Sequence, residues 1–313
     1  MIVSLGDAAL DVFIRPHGEI LRGSDVPGAL RLLPGGSAAN VAVWAARLGA
    51  AAGFIGAVGA DAAGALLRED LARQGVVAHL PLVPAATAAI AVLVDAAGER
   101  AMIADRGAAA LLAPEMIQLE WIPPGCRLHI PAYSLFEEPV ASAALRAVTL
   151  CRAGGGRVSV DTSSAGPLRA FGPERFLALL TTIAPDVLFA NADEGALLSG
   201  HNEAEAGIAA LRRYASLVVW KQGADGALAL DEQITRVAGL PAAVLDSTGA
   251  GDAFAAAFLV AHDNGTAPAQ ALARANALAA RVVQHIGARP VIRLPNAAGL
   301  IAHMPPTEPE GAS

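Results

Sequence analysis

Between residues 127 and 221 short apolar runs alternate with longer stretches of helical periodicity. "RLHIPA", "RVSVD", "DVLFAN" and "SLVVWKQG" are brief and nearly continuous in apolar residues. They are separated by "EEPVASAALRAVTLCRAGG", a helical region around 173–182, "ADEGALLSG" and "EAEAGIAALRRYA". An unbroken apolar run of that length fits a strand buried on both faces. Strands joined by helices run parallel, because a parallel neighbour is reached only by a long crossover. The rhythm therefore predicts an α/β chain with a mostly parallel central sheet and helices on both faces.

The first hundred residues keep part of that rhythm. "MIVSLG" and "AAGFIGAVG" read as further strands. "GGSAANVAVWAARLGA" reads as a helix entered through glycines, with Val41, Trp44, Ala45 and Leu48 near one face and Gly49 at its end. "DAAGALLREDLARQG" is a second helix, with Asp61 as N-cap and Gly75 as stop. Two segments break the pattern. "ALDVFIRPHGEILRG" turns at "PHGE", and "AAIAVLVDAAGERAMIAD" turns at "DAAGER". These hairpins, roughly 11–33 and 87–105, predict a small β layer beside the main sheet. Residues 1–303 read as one domain, and the proline-rich 304–313 as a frayed tail.

Composition limits the function. Of 313 residues, 54% are hydrophobic and 16% charged, which supplies a large core and excludes a disordered chain. A net charge of -7 opposes non-specific nucleic-acid binding. No basic segment precedes the first apolar run, and runs such as "AAFLVA" are too short to span a bilayer. The expectation is a cytoplasmic protein with neither a nucleic-acid nor a membrane partner. Cys126 and Cys151 have no zinc spacing and read as buried thiols.

"LDSTGAGDAFAAAFL", residues 245–259, carries the chemistry. A glycine turn opening a helix aims unpaired N–H groups outward at the positive end of the helix dipole, which suits phosphate. No lysine follows, so this is not a "GxxxxGK[ST]" loop. A carboxylate at Asp252 would repel phosphate, unless it accepts the proton of a hydroxyl that attacks phosphorus. Gly249, Ala250 and Gly251 would then supply the anion-binding donors. On the local sequence alone, Asp252 reads equally well as an N-cap.

"DSTGAGDAF" resembles the C-terminal signature of the ribokinase-like (PfkB) carbohydrate and nucleoside kinases, usually D-T-x-G-A-G-D. "GGSAANVAVWAARLGA" resembles the N-terminal one. The resemblance runs in order from "GDAALD" to "GARPVI". It implies a three-layer α/β/α fold with a small β-sheet lid. It also implies transfer of the γ-phosphate of ATP to a hydroxyl of a sugar, sugar alcohol or nucleoside, with magnesium and often a monovalent cation such as potassium.

Further roles follow from the resemblance. Asp11 matches the lid-strand aspartate that binds substrate hydroxyls, Gly35 and Gly36 the close-approach glycines, and Asn40 the substrate asparagine. Without it, Asp11 is a solvated strand end, the glycines a tight loop and Asn40 a backbone partner. Asn191 and Glu194 in "NADE" match an N-x-x-E motif that orders magnesium and phosphate through water; alone they read as a cap and a first-turn acid. Gly223 and Gly226 match the nucleotide segment, with Lys221 reaching a phosphate or merely projecting from a strand end. Asn276 matches an asparagine beside the adenine, or is an exposed helical residue. Asp246 and Thr248 match monovalent-cation ligands, completed by carbonyls from about Val282 to Gly287; otherwise Asp246 only buttresses the turn. Family lids often pair into dimers, so a homodimer through the lid is expected.

Departures bear on substrate. Asp161 lacks the nearby arginine of ketodeoxygluconate-kinase-like members, since the next is Arg169. Ala9 replaces the ribokinase-type asparagine, and "ATAAI" lacks the glycine after the lid threonine. Phe13, Arg15, Arg100 and Arg106 are unranked lid or pocket candidates. Two other classes stand beside this one: a non-catalytic binding protein on the same scaffold, and a dinucleotide oxidoreductase. The second lacks a "GxGxxG" after the first strand.

Overall fold

Period-two burial explains how the central sheet is covered. Val187 and Phe189 join one core, and Leu188 between them joins another. Alternate side chains of each strand thus serve two helical layers. The computed structural model describes residues 1–94 and 100–292. Its strands in chain order are β1 (Ile2–Leu5), β2 (Ala9–Pro16), β3 (Gly28–Gly35), β4 (Ala52–Ile55), β5 (Val77–His79), β6 (Ala89–Val94), β7 (Arg100–Asp105), β8 (Arg127–Pro131), β9 (Arg157–Asp161), β10 (Val187–Asn191), β11 (Leu217–Lys221), β12 (Ala227–Leu230) and β13 (Ile234–Val237). The helices are α1 (Ser37–Arg47), α2 (Ala62–Arg73), α3 (Val140–Ala153), α4 (Ala165–Phe171), α5 (Pro173–Ile183), α6 (Ala192–Ser199), α7 (Ala204–Leu211), α8 (Ala250–Asp263) and α9 (Pro268–Val282).

The central sheet has nine strands in the order β13-β12-β11-β10-β9-β8-β1-β4-β5. All neighbours from β5 to β11 are parallel, and β12 and β13 add an antiparallel edge. Helices α1, α2, α8 and α9 share a core with one face. Helices α3, α5, α6 and α7 cover the other. From β1 the chain winds outward first through β4 and β5, then through β8 to β11. In such sheets ligands bind beyond the carboxyl ends of the strands near that reversal. Asp161, Asn191 and Lys221 are the last residues of β9, β10 and β11.

The two irregular segments form a separate four-stranded sheet, β3-β2-β6-β7. Its return strand begins at Gly28, not just after "PHGE". The alternating run "GALRLLPG" pairs along all of β2, whereas Ile20 and Leu21 stay 59% and 55% exposed in the connection. Asp61 caps α2 through the Gly64 N–H and also accepts from the backbone and hydroxyl of Thr87, fixing the root of β6. Cys126 and Cys151 are buried free thiols. Among the described residues no helix is long and apolar enough to cross a membrane. Residues 304–313, the turn residues 95–99 and the Arg100 side chain lie outside the description.

Candidate active site

Gly249 adopts φ 74° and is the N-cap of α8. An added Cβ there would meet Ala288 at 2.4 Å, so glycine is required both by conformation and by space. The Ala250 N–H turns back to Ser247 O at 3.3 Å, and the first helical bond is Ala253 N–H to Gly249 O. Among the described residues the N–H groups of Gly249 and Gly251 have no acceptor. The glycine turn read from the sequence is present as geometry, and it leaves two open N–H groups rather than three.

Asp252 lies in the first turn of α8, but its side chain makes no capping hydrogen bond there. Its Oδ1 accepts from Ser37 Oγ at 2.7 Å and its Oδ2 from Asn40 Nδ2 at 2.7 Å. Both donors belong to the first turn of α1, so two glycine-opened helices meet at this carboxylate. Burial raises its pKa, the bonds from Asn40 and Ser37 restrain the rise, and Asp161 adds to it while Lys221 opposes it. A carboxylate so placed is a better proton acceptor than a surface one.

Lys221 Nζ pairs with Asp161 Oδ2 at 2.7 Å and would lie 3.5 Å from a Cβ on Gly251. It thus stands at the turn instead of merely projecting from its strand. Burial opposes its charge, but Asp161 and Glu194 outweigh it and the pKa rises. Asp161 also accepts the Ser163 N–H. Arg106 bridges Asp7 and Glu137 near the lid root.

Asp11 is 4% exposed. A Cβ on Gly35 would sit 2.3 Å from its Oδ2, and one on Gly36, at φ 91°, 2.3 Å from Asp7 O. Both glycines are close-approach positions. The Asp11 carboxyl is pushed up to about 7, chiefly by burial; Arg289 pulls it down, while Asp252 and Asp246 push it up. Asn40 does not serve backbone: its Oδ1 accepts from Arg289 Nε at 2.6 Å.

Asn191 and Glu194 form a capping box on α6. Glu194 is 1% exposed; Oε2 accepts from Asn191 N and Thr162 Oγ1, and Oε1 from Asn191 Nδ2. Burial raises its pKa. No group of three or more His, Cys, Asp or Glu among the described residues could enclose a metal. Asp246 accepts the N–H groups of Thr248 and Gly287, each at 2.8 Å, so it does buttress the turn.

Gly223 and Gly226 have φ 59° and 101°, and a Cβ on Gly226 would strike Val237 O at 2.1 Å. Asn276 is 7% exposed, and its Nδ2 bonds to Val237 O and Ala238 O. It is a buried tie to the β13 edge, not an exposed helical residue. Sequence reasoning missed Ser37 and Arg289. A serine at N1 of a helix carries no signal of its own, and Arg289 meets partners more than 200 residues away.

The family model for pfkB carbohydrate kinases matches residues 1–294. A fructokinase of Klebsiella pneumoniae is 35% identical over 265 residues, covering 82% of each chain. An aminoimidazole riboside kinase of Salmonella typhimurium is 29% identical and covers 93% of this chain and 92% of that one. A putative ribokinase II of E. coli, solved with ATP and Mg2+, is 28% identical with a TM-score of 0.81 over 92% of this chain and 94% of its own. An adenosine kinase of Sinorhizobium meliloti gives a TM-score of 0.83 at 24% identity, a likeness of fold, covering 93% and 96%. With this fold and this family match, the chain belongs to the pfkB family of carbohydrate kinases, ATP-dependent phosphotransferases.

Proposed function

We propose that the protein transfers the γ-phosphate of ATP to a hydroxyl of a small sugar, with Asp252 as general base. The observation that carries this is the Asp252 carboxylate, held by Ser37 and Asn40 at the mouth of an anion turn and not spent on its own helix. Asp11 takes hydroxyls of the acceptor, between the close-approach Gly35 and Gly36 and beside Asn40. Asp252 removes the proton of the attacking hydroxyl. Its oxygen bonds to the γ-phosphorus as the bond to the bridging oxygen breaks, and ADP leaves. The N–H groups of Gly249 and Gly251, with Lys221, meet the developing charge. Gly223, Gly226 and Asn276 shape the nucleotide side. Magnesium, when bound with the nucleotide, would neutralise charge on the phosphates, and Glu194, aligned by Asn191, is the carboxylate that would help to hold it.

Fructokinases among the relatives make fructose the first acceptor to test, with aminoimidazole riboside and ribose as comparisons. Asp246 is 1% exposed beside the 283–287 loop, and its carboxyl group, with Thr248 as a second ligand, would suit a weakly hydrated cation. ADP release should depend on an added sugar, and potassium should raise it above the rate in tetramethylammonium salt. ADP release that ignores every acceptor would defeat the sugar-kinase reading and leave a binding protein; equal rates in both salts would remove the cation.

The small sheet acts as a lid whose inner face carries Asp11. The register places Val12, Ile14, Leu30, Leu32, Ala91 and Ile103 together on the opposite face. Leu30, Leu32 and Ile103 are 65%, 57% and 66% exposed. An apolar face of this kind marks an interface, and a second copy of the lid covers it. Sedimentation should show a dimer, and Leu32→Asp with Ile103→Asp should yield a monomer. A wild-type monomer at tens of micromolar would contradict the pairing.

A further inference from the structure

Residues 287–290 touch each part of the site. A Cβ on Gly287 would meet Leu33 of the lid at 2.7 Å, and the Gly287 N–H holds Asp246. Ala288 lies against Gly249, and its carbonyl accepts from Trp44 Nε1 at 3.0 Å. The Arg289 side chain is 4% exposed and reaches three acceptors. Nε donates to Asn40 Oδ1 at 2.6 Å, Nη2 to Gly35 O at 2.7 Å and Nη1 to Asp70 Oδ2 at 2.8 Å.

The direction of the Asn40 amide follows from this. A guanidinium only donates, so it selects the amide oxygen. The amide nitrogen must then face the other way, where Asp252 Oδ2 accepts it. A flipped Asn40 would set donor against donor at Arg289 and acceptor against acceptor at Asp252. The same guanidinium grips the Gly35 carbonyl, and Gly35 lies against the Asp11 carboxylate. One buried cation thus braces the neighbours of both carboxylates. A lysine ammonium cannot match this planar three-way fork.

We propose that Arg289 is a positioning residue for phosphoryl transfer, which aims Asn40 at Asp252 and holds Gly35 beneath Asp11. This rests on the roles given above to those two carboxylates.

The test is steady-state kinetics of Arg289→Met, Arg289→Lys and Asp70→Asn from mildly acid to mildly alkaline pH, beside Asp252→Asn. Arg289→Met should lose about 10- to 100-fold in kcat, the scale of a misplaced reacting group. Its acid limb of kcat/KM should move to higher pH, because Arg289 is the charge that lowers the Asp11 pKa against Asp252 and Asp246. Arg289→Lys should keep the limb but not kcat. Asp70→Asn leaves the Asn40 and Gly35 contacts in place and should stay close to wild type. If Arg289→Met does not fold, wild-type kcat in Arg289→Lys overturns the proposal. So does a loss shared equally by Arg289→Met and Asp70→Asn with an unmoved limb, which is the mark of a merely structural ion pair. Unchanged turnover in Asp252→Asn would instead defeat the reading of Asp252 as base, and is read from a separate variant.

Discussion

Asp11→Asn is expected to make the protein more stable at pH 8 while lowering kcat/KM by about 100-fold, because the buried pocket is left without its full hydroxyl acceptor. The stability gain has a definite sign. The folded Asp11 carboxyl titrates at about 7 against an ordinary value of 3.8, mainly because it is buried. A raised pKa means that the stabilising form is the protonated one. Its contribution is full below the unfolded value and is lost as pH rises through the folded one. At pH 8 the ionised group therefore costs the fold about 4 kcal/mol as an order of magnitude, and asparagine removes that cost. The melting difference between variant and wild type should shrink as pH falls and vanish near pH 4. Equal melting at both pH values with an unchanged KM would show that Asp11 neither carries a buried charge nor meets the substrate. Such destabilisation by a functional group is the usual trade between stability and activity.

Local pattern made much of this molecule legible. Continuous apolar runs placed β8 to β11, since each strand is buried on both faces, and the break in rhythm isolated the small sheet. Asp61 and Gly75 bound α2 as the capping chemistry requires. The return strand of the first hairpin begins later than "EILRG" because Ile20 and Leu21 are adjacent rather than alternating and stay exposed, whereas "GALRLLPG" pairs along β2. Helix α4 and the β12–β13 edge were not read at all. Their segments are short, and what decides their structure is the neighbour they pair with.

In the site, the turn glycines and Asp252 were legible because one short segment builds them. The alternatives at Asn191 and Asp246 were also correct as geometry: the cap and the buttress exist, and neither prevents a second use of the same oxygens. What sequence did not reveal are contacts between distant segments. Lys221 and Asp161 meet only because β9 and β11 flank β10 in register, with Phe189 opposite Asp161 and Asn191 opposite Lys221. Arg289 sits in "GARP", a segment with no helical or strand periodicity of its own, and its burial depends on α1, α2 and the lid root closing around it.

The most direct test of the account is single-turnover phosphoryl transfer by Asp252→Asn, with ATP, magnesium and the preferred acceptor all bound. Asparagine keeps the shape of the side chain: its one oxygen can accept from Asn40 while its amide nitrogen donates to the Ser37 hydroxyl, but it cannot take a proton. Nucleotide affinity should hold or improve, because a negative charge beside the phosphates is gone. The chemical step should slow by roughly 10²–10⁴, the usual worth of a positioned general base, and the acid limb set by the raised Asp252 pKa should disappear from its rate profile. Transfer at near wild-type rate by the folded variant would contradict the account and reduce Asp252 to a brace between α1 and α8.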